Sequence, residues 1–370
     1  MDPTASGTEA GGLQHVPCDL CGTDQPVVLF EQRDILFGYE EPAFRIVRCA
    51  VCDLIYLSPR PTPEAIGRHY PRTYYELQRR PKTRGRFGAW VRRVKAAIRS
   101  GVLREFYGYS DSAGEDSPGV WSAWTPLWKA LLYGEHLRLK LRGKAAIILP
   151  FVGDGMLLDV GCGSGELLQR HIALGWDGWG VEISPEAARY AREERGLRVS
   201  QGDLPGAGFP AGTFDMVVFS HSLEHMFSPV ATLRETHRIL RPGGRLFLAL
   251  PNAASAEARL FGRWWFGWEV PRHLYHFTPR TLDRCLRQAG FRVIRMGWDP
   301  GTMTFLESLK YVWKYRRGKA LRSIRGLSWA VAPLAFCLGH LRLGPIMFVY
   351  AERVEGIAGG QGGCRGETRG

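Results

Sequence analysis

The chain has 370 residues, 45% of them hydrophobic, and a formal net charge of +13. That length buries one full core and carries a smaller module besides. Every apolar run falls short of the about 18 residues an ordinary membrane helix needs, and eight scattered cysteines do not make a disulfide scaffold. The opening MDPTASGTEAGG lacks a basic and an apolar signal region, so the expected compartment is the cytoplasm, with a peripheral membrane position as the alternative.

Residues 1–15 read as a disordered tail. Residues 16–66 form a small module built on two Cys-x-x-Cys pairs, Cys18 with Cys21 and Cys49 with Cys52, separated by 27 residues. That spacing exceeds the common interval of about 15–20 but suits a ribbon with a longer hairpin. Four thiolates close a tetrahedral zinc site with no open position, so the module is expected to be structural.

The segment 67–150 is basic and aromatic and is expected to hold short helices and a loop, with one helix over Trp128–Leu149. From Arg68 to Arg104 twelve Lys or Arg stand against one acid, Glu76; from Lys310 to Arg325 there are seven and no acid. Because 41 of the 49 basic residues are Arg, composition explains part of the excess. Each stretch is either a solvated helix face or a surface for an anionic partner.

From Met156 strands and helices alternate. MLLDV reads as a strand, Glu166–Leu174 as a helix, and GWGVEI (Gly178–Ile183) as a strand. Ser184 and Pro185 then start a helix. LRVS is a short strand, and FDMVVFS (Phe214–Ser220) is a strand buried on both faces. Val230–Leu240 is a helix broken by RPGG, and RLFLALPN is the next strand. Thr278 and Pro279 start a helix to Ala289, FRVIRMGW is a strand, and IMFVYAER (Ile346–Arg353) is the last. This alternation predicts an α/β, doubly wound, mostly parallel sheet over residues 151–355. Residues 356–370 read as a second tail.

The run LLDVGCGSGELL, Leu157 to Leu168, places glycines at alternate positions of a strand-to-helix turn, where a ligand lies against bare backbone. Its Gly161-x-Gly163-x-Gly165 spacing is one residue shorter than the dinucleotide fingerprint. Glu182 stands 21 residues after Gly161, at the end of the second strand, where a carboxylate can accept from both hydroxyls of a ribose. Asp203 ends the third strand, within reach of an adenine amino group.

The ordered series LLDVGCGSG, GVEIS, QGDL, FDMVVFSHSLEHMFSP and RILRPGGRLFLALPN resembles the motif set of class I S-adenosylmethionine-dependent methyltransferases over roughly residues 150–300. The resemblance implies a Rossmann-like seven-stranded sheet with the last strand antiparallel and S-adenosylmethionine as the methyl donor. It assigns Gly161, Gly163 and Gly165 to the methionine and ribose side, Glu182 to the ribose and Asp203 to the adenine, with Ile183 and Leu204 also among the donor-binding residues. Ser220 faces the donor, and Asp159 either supports the loop or meets the donor's amino group. LIYLSPRPTPEAIGRHYPRTYY resembles the linker of methyltransferases that carry an N-terminal zinc ribbon in sugar, glycan or secondary-metabolite pathways.

Such chemistry aligns an acceptor behind the methyl group and, for a hydroxyl or acidic carbon, needs a base. His221 and His273 are the candidates, in SHSLEH and in PRHLYHFTP, with Glu224 and His225 supporting them. The expected acceptor is the O, N or C atom of a small molecule or glycan intermediate. Two alternatives stay open: a lipid-linked glycan or isoprenoid acceptor at a membrane surface, and a non-catalytic protein that binds the donor. Neither an Asn/Asp-Pro-Pro-aromatic motif nor a Pro-Cys pair follows the fourth strand, which disfavours a nucleic-acid substrate.

Residues 300–344 form an insertion before the last strand, longer than ordinary connections. Its basic, aromatic first half and apolar second half predict a helical pair. That pair lies on a membrane, docks a lipid-linked substrate, or covers the site as a lid or dimer face. The oligomeric state is not legible.

Overall fold

The strands expected from Met156 onward assemble into one sheet because alternate residues along each have a separate apolar layer to enter. A computed structural model describes residues 8–9, 12–70, 89–109, 125–141, 148–299, 302–317 and 327–355. In chain order the N-terminal strands are β1 (Thr8–Glu9), β2 (Leu13–Gln14), β3 (Pro26–Asp34), β4 (Tyr39–Cys49), β5 (Ile55–Leu57) and β6 (Arg60–Pro61). They are followed by β7 (Met156–Val160), β8 (Asp177–Glu182), β9 (Val199–Gln201), β10 (Phe214–Ser220) and β11 (Leu240–Pro251). The last are β12 (Tyr275–His276), β13 (Phe291–Asp299) and β14 (Ile346–Arg353).

The seven-stranded sheet runs β13-β14-β11-β10-β7-β8-β9, with β14 antiparallel to both neighbours. Strand order reverses between β7 and β10, so a crevice opens beyond their carboxyl ends. Leu157, Met216, Val218 and Phe247 enter one layer with Val102 and Leu103 of helix Ala89–Tyr107. Their sequence neighbours Leu158, Val217, Phe219, Leu246 and Leu248 enter the other. The period of two thus serves two buried faces at once.

Helix starts follow the caps read in the sequence. Ser184 Oγ accepts from Ala187 N ahead of Pro185–Glu193, and Thr278 with Thr281 forms a capping box ahead of Pro279–Gln288. RPGG does not separate helix from strand. Leu240 already pairs with Phe214, and the next pair, Met216 with Arg245, leaves the four residues 241–244 bulged between them. The helix expected over Trp128–Leu149 is Thr125–Leu141, with 142–147 outside the described residues. Residues 71–88, 110–124 and 356–370, which include the expected loop and the second tail, also lie outside them.

The cysteine module is a three-stranded antiparallel ribbon of β3, β4 and β5. Its sheet gains a fourth strand from far downstream, β12 pairing with β5. Cys18, Ile46 and Leu57 share a core cluster with Leu158, Val217 and Leu248, so ribbon and large sheet are packed as one. Asp19 in the first knuckle accepts from Ser228 Oγ (2.7 Å) and Val230 N (2.9 Å), capping helix Pro229–Ile239. The stretch read as an N-terminal tail is ordered at its end. Leu13 and Gln14 pair with Pro61 and Arg60, satisfying a strand edge that would otherwise face water.

Candidate active site and cysteine centre

Gly161 follows β7 with φ of 75°. A Cβ there would stand 2.6 Å from Cβ of Ser222, whose hydroxyl donates to the Val160 carbonyl at 2.6 Å. Glycine is therefore required by the close approach of the turn after β10, as well as by its backbone angle. Glu182 ties the loop from below, accepting from Gly163 N and Ser184 N, each at 2.8 Å. Burial raises its carboxyl despite those amides.

Asp159 is buried at the loop's base, and its Oδ2 accepts no hydrogen bond. Burial, then the charge of Glu182, pushes its carboxyl up to about 7. Cys162 packs its sulfur over Gly180, where a Cβ would approach to 2.7 Å, and burial raises its thiol. It is a packing residue.

A cavity of about 430 Å³ opens above the loop. The fold brings Asp159, Gly161, Gly163, Ser220, His221, His225 and His273 to its wall, with Trp265, Phe266, Glu269 and Thr304. Gly165, Glu182, Ile183, Asp203 and Leu204 do not line it; Glu182 ends β8 with Ile183 after it, and Asp203 and Leu204 follow β9. Ile183 is 66% exposed there, while Leu204 is buried. Asp203 Oδ1 accepts from Gly206 N at 2.8 Å. Gly165 starts helix Glu166–Ile172 in the left-handed region.

His221 is held at φ of 55° by its amide donating to the Ala249 carbonyl at 2.8 Å. A left-handed, non-glycine residue at a strand end stores strain of about 1–3 kcal/mol, which the surrounding structure must hold. Its side chain is half exposed, with Nδ1 3.7 Å from Glu224 Oε1. Desolvation opposes its charge, but the Glu224 carboxylate, aided by Glu269 and Asp299, outweighs that and raises its pKa.

Glu224 is buried, and neither carboxylate oxygen accepts a hydrogen bond. Burial favours its neutral form, yet His221, His225 and His273 together hold it down at about 2. His225 Nδ1 donates to the Arg272 carbonyl at 2.9 Å and meets the Tyr70 hydroxyl at 3.0 Å. Burial, then His273, lowers its pKa to about 4, so it is neutral at physiological pH.

His273 is buried, its Nδ1 2.9 Å from the Gly267 carbonyl and its Nε2 3.7 Å from Glu269 Oε2. Arg272 beside it is fully buried and bidentate to Asp34 at the end of β3, at 2.6 and 3.1 Å. Arg272 Nε also donates to Glu269 Oε1 at 3.1 Å. The ribbon thus holds the segment that presents His273. Sequence reading missed Asp34, Trp265, Phe266 and Glu269; the aromatic run WWFGWE after β11 was the available signal.

The insertion does form two helices, Thr302–Arg317 and Leu327–His340, with residues 318–326 outside the described set. Thr304 reaches the cavity wall. Ser308 Oγ accepts from Phe266 N at 2.9 Å, and Tyr311 packs on Phe266 at 5.6 Å between ring centres. The first helix therefore roofs the cavity.

In the cysteine centre, Sγ of Cys18 lies 3.4 Å from that of Cys52, and Sγ of Cys21 lies 3.5 Å from that of Cys49. All four sulfurs fall within 4.8 Å of one another. A zinc tetrahedron with bonds of about 2.3 Å has edges of about 3.8 Å, so the donor set fits that ion. Gly22 and Asp53, both at positive φ, close the two knuckle turns. A hydrogen bond with Cys52 draws the Cys18 thiol down to about 6.

A seven-stranded sheet with its last strand antiparallel, a glycine loop after β7 and an acid at the end of β8 together define a class I S-adenosylmethionine-dependent methyltransferase domain. A family described as "Methyltransferase domain" matches residues 133–296. A ubiquinone biosynthesis O-methyltransferase of Xanthomonas axonopodis pv. citri (strain 306) is 34% identical over 151 residues, covering 37% of this chain and 62% of that protein. One of Aromatoleum aromaticum is 30% identical over 165 residues, covering 40% of this chain and 70% of its own length. The solved S-adenosylmethionine-dependent methyltransferase of Mesorhizobium loti has 19% identity and a TM-score of 0.39, covering 57% of this chain and 95% of its own. The chain spans about three fifths of the length of the Xanthomonas relative. It belongs to this methyltransferase family.

Proposed function

We propose that the protein transfers a methyl group from S-adenosylmethionine to a hydroxyl oxygen of a small-molecule acceptor, with His221 as general base and the four cysteines holding a structural zinc. The observation that carries the reading is His221, backed by Glu224 at 3.7 Å, at the wall of a cavity that the glycine loop also lines. Oxygen is preferred over nitrogen or carbon because the relatives are O-methyltransferases by name.

The donor supplies an electrophilic sulfonium methyl. Asp159 offers its unpartnered Oδ2 to the donor's ammonium group, and the bare backbone at Gly161 and Gly163 lets the donor lie close. Glu182 and Asp203 serve the ribose and adenine along the open crevice. His221 keeps Nδ1 toward Glu224 and takes the acceptor's hydroxyl proton on Nε2, while the carboxylate stabilises the imidazolium. Trp265, Phe266 and the helix Thr302–Arg317 exclude water.

Replacing His221 by Asn tests the base. Turnover, read as S-adenosylhomocysteine released with a panel of phenols and sugar nucleotides, is expected to fall about 10²–10⁴-fold, with donor affinity by calorimetry preserved. Unchanged turnover would remove the assignment.

A second reading, a lipid-linked acceptor taken at an anionic membrane surface, is favoured by the exposed Met303, Leu334 and Leu341 of the insertion and by the basic last turn of helix Thr302–Arg317. Among the described residues no helix is long and apolar enough to cross a membrane. Equal sedimentation of the full protein and a variant shortened at the insertion with anionic vesicles would favour the lid alone.

A further inference from the structure

We propose that Glu224, His225 and His273 form a second metal site, a 2-His-1-carboxylate set for a first-row divalent cation at the wall of the acceptor cavity. The role given to the ion below rests on the methyl-transfer reading; the site itself does not.

The three side chains arrive from two segments, Leu223–His225 after β10 and the Pro271–His273 turn before β12. One donor atom from each lies within 4.8 Å of the others. Both histidines have Nδ1 against a backbone carbonyl at 2.9 Å, Arg272 O for His225 and Gly267 O for His273. A carbonyl only accepts, so Nδ1 carries the proton and Nε2 keeps its lone pair. Fixing the tautomer through a carbonyl on the far nitrogen is what metal-ligating histidines use.

Glu224 supplies the second, independent observation. It is 1% exposed, yet neither of its oxygens accepts a hydrogen bond. A carboxylate that merely braced the loop would spend those oxygens on donors, since buried polar groups are almost always paired. Here Oε1 has only the looser approach of His221 Nδ1 at 3.7 Å, and Oε2 remains for a cation. Glu269 Oε2, 3.7 Å from His273 Nε2, is a further oxygen donor within reach.

Two imidazoles and one carboxylate suit manganese, iron, cobalt or zinc better than magnesium or calcium, which prefer all-oxygen shells. The four-thiolate centre is chemically distinct and closed. His225 and His273 both line the cavity, so open coordination positions face the acceptor. A cation there binds the acceptor oxygen and lowers its pKa. The O–H bond breaks with its proton going to His221 and the oxyanion staying on the metal, so charge balances without any redox partner. The acceptor class is then a phenol, enol or other hydroxyl that coordinates as an oxyanion.

The test uses full-length protein with its cysteine centre zinc-loaded, titrated with Mn²⁺ alone and followed by electron paramagnetic resonance. One bound Mn²⁺ per chain is expected, with pulsed spectra showing nitrogen couplings from imidazole. Glu224→Gln and His273→Gln are each expected to weaken binding at least tenfold while S-adenosylmethionine binding by calorimetry persists. Absence of bound Mn²⁺ in the unmodified protein, a bound ion without imidazole couplings, or unchanged affinity in both variants would overturn the site. Metal binding without methyl transfer would count against the proposed activity alone; donor binding without metal would count against the site alone.

Discussion

Replacing Asp34 by Ala isolates the link between the cysteine ribbon and the segment that carries His273. Asp34 and Arg272 side chains are 1% and 0% exposed and 2.6 Å apart, so the substitution leaves a guanidinium buried with half its partners. Removing one member of such a pair costs about 3–5 kcal/mol. Glu269 at 3.1 Å and the His69 carbonyl at 3.1 Å still hold part of Arg272, which places the expectation near the lower end, about 3 kcal/mol. That is roughly a hundredfold in the folding equilibrium, or on the order of 6–12 °C in melting temperature for a domain of this size. Urea unfolding followed by tryptophan fluorescence measures it. Replacing both partners, Asp34→Leu with Arg272→Met, removes the charge altogether and is expected to recover much of the loss. A single variant that loses under about 1 kcal/mol, or a double variant as unstable as the single, would refute the reasoning.

Burial, with the charge of Glu182, pushes the Asp159 carboxyl up to about 7. Below that pH the folded protein holds it neutral, and the proposed contact with the donor's ammonium must first remove the proton. Donor affinity is therefore expected to weaken about fivefold from pH 7 to pH 6, beyond any change in Asp159→Asn. In the donor-free protein the sign is reversed: the folded state holds this proton more tightly than the unfolded one. Stability contributed here is thus lost as pH rises from about 4 to about 7, and Asp159→Asn is expected to be the less pH-sensitive in thermal melts; parallel curves would contradict this. For the cysteine centre, metal analysis is expected to find one zinc per chain, and Cys49→Ser to lose it together with a large part of the melting temperature. Full stability in zinc-free protein would remove the structural role.

Particular residues show how much was legible. Gly161, Asp159 and Glu182 follow from local rules: a turn without side chains, an acid at a strand end, a second acid one unit later. The two Cys-x-x-Cys knuckles are equally local, since each turn is closed within five residues by Gly22 or Asp53. His273 was named as a base from its residue type and neighbourhood. Its burial against Gly267 and its approach to Glu224 and His225 were not readable, because they depend on how the segment before β12 packs. Tyr275 and His276 gave no sign of being strand residues for a ribbon more than two hundred positions earlier.

Sequence alone determined the class of sheet, the glycine loop after β7 and the four-cysteine set, because each rests on periods and spacings of a few residues that backbone geometry enforces. Tertiary structure decided that ribbon and sheet share one core, that Arg272 is locked to Asp34 across 238 positions, and that Glu224, His225 and His273 converge. Those are contacts between distant segments, set by which apolar faces bury together, and no local pattern encodes them.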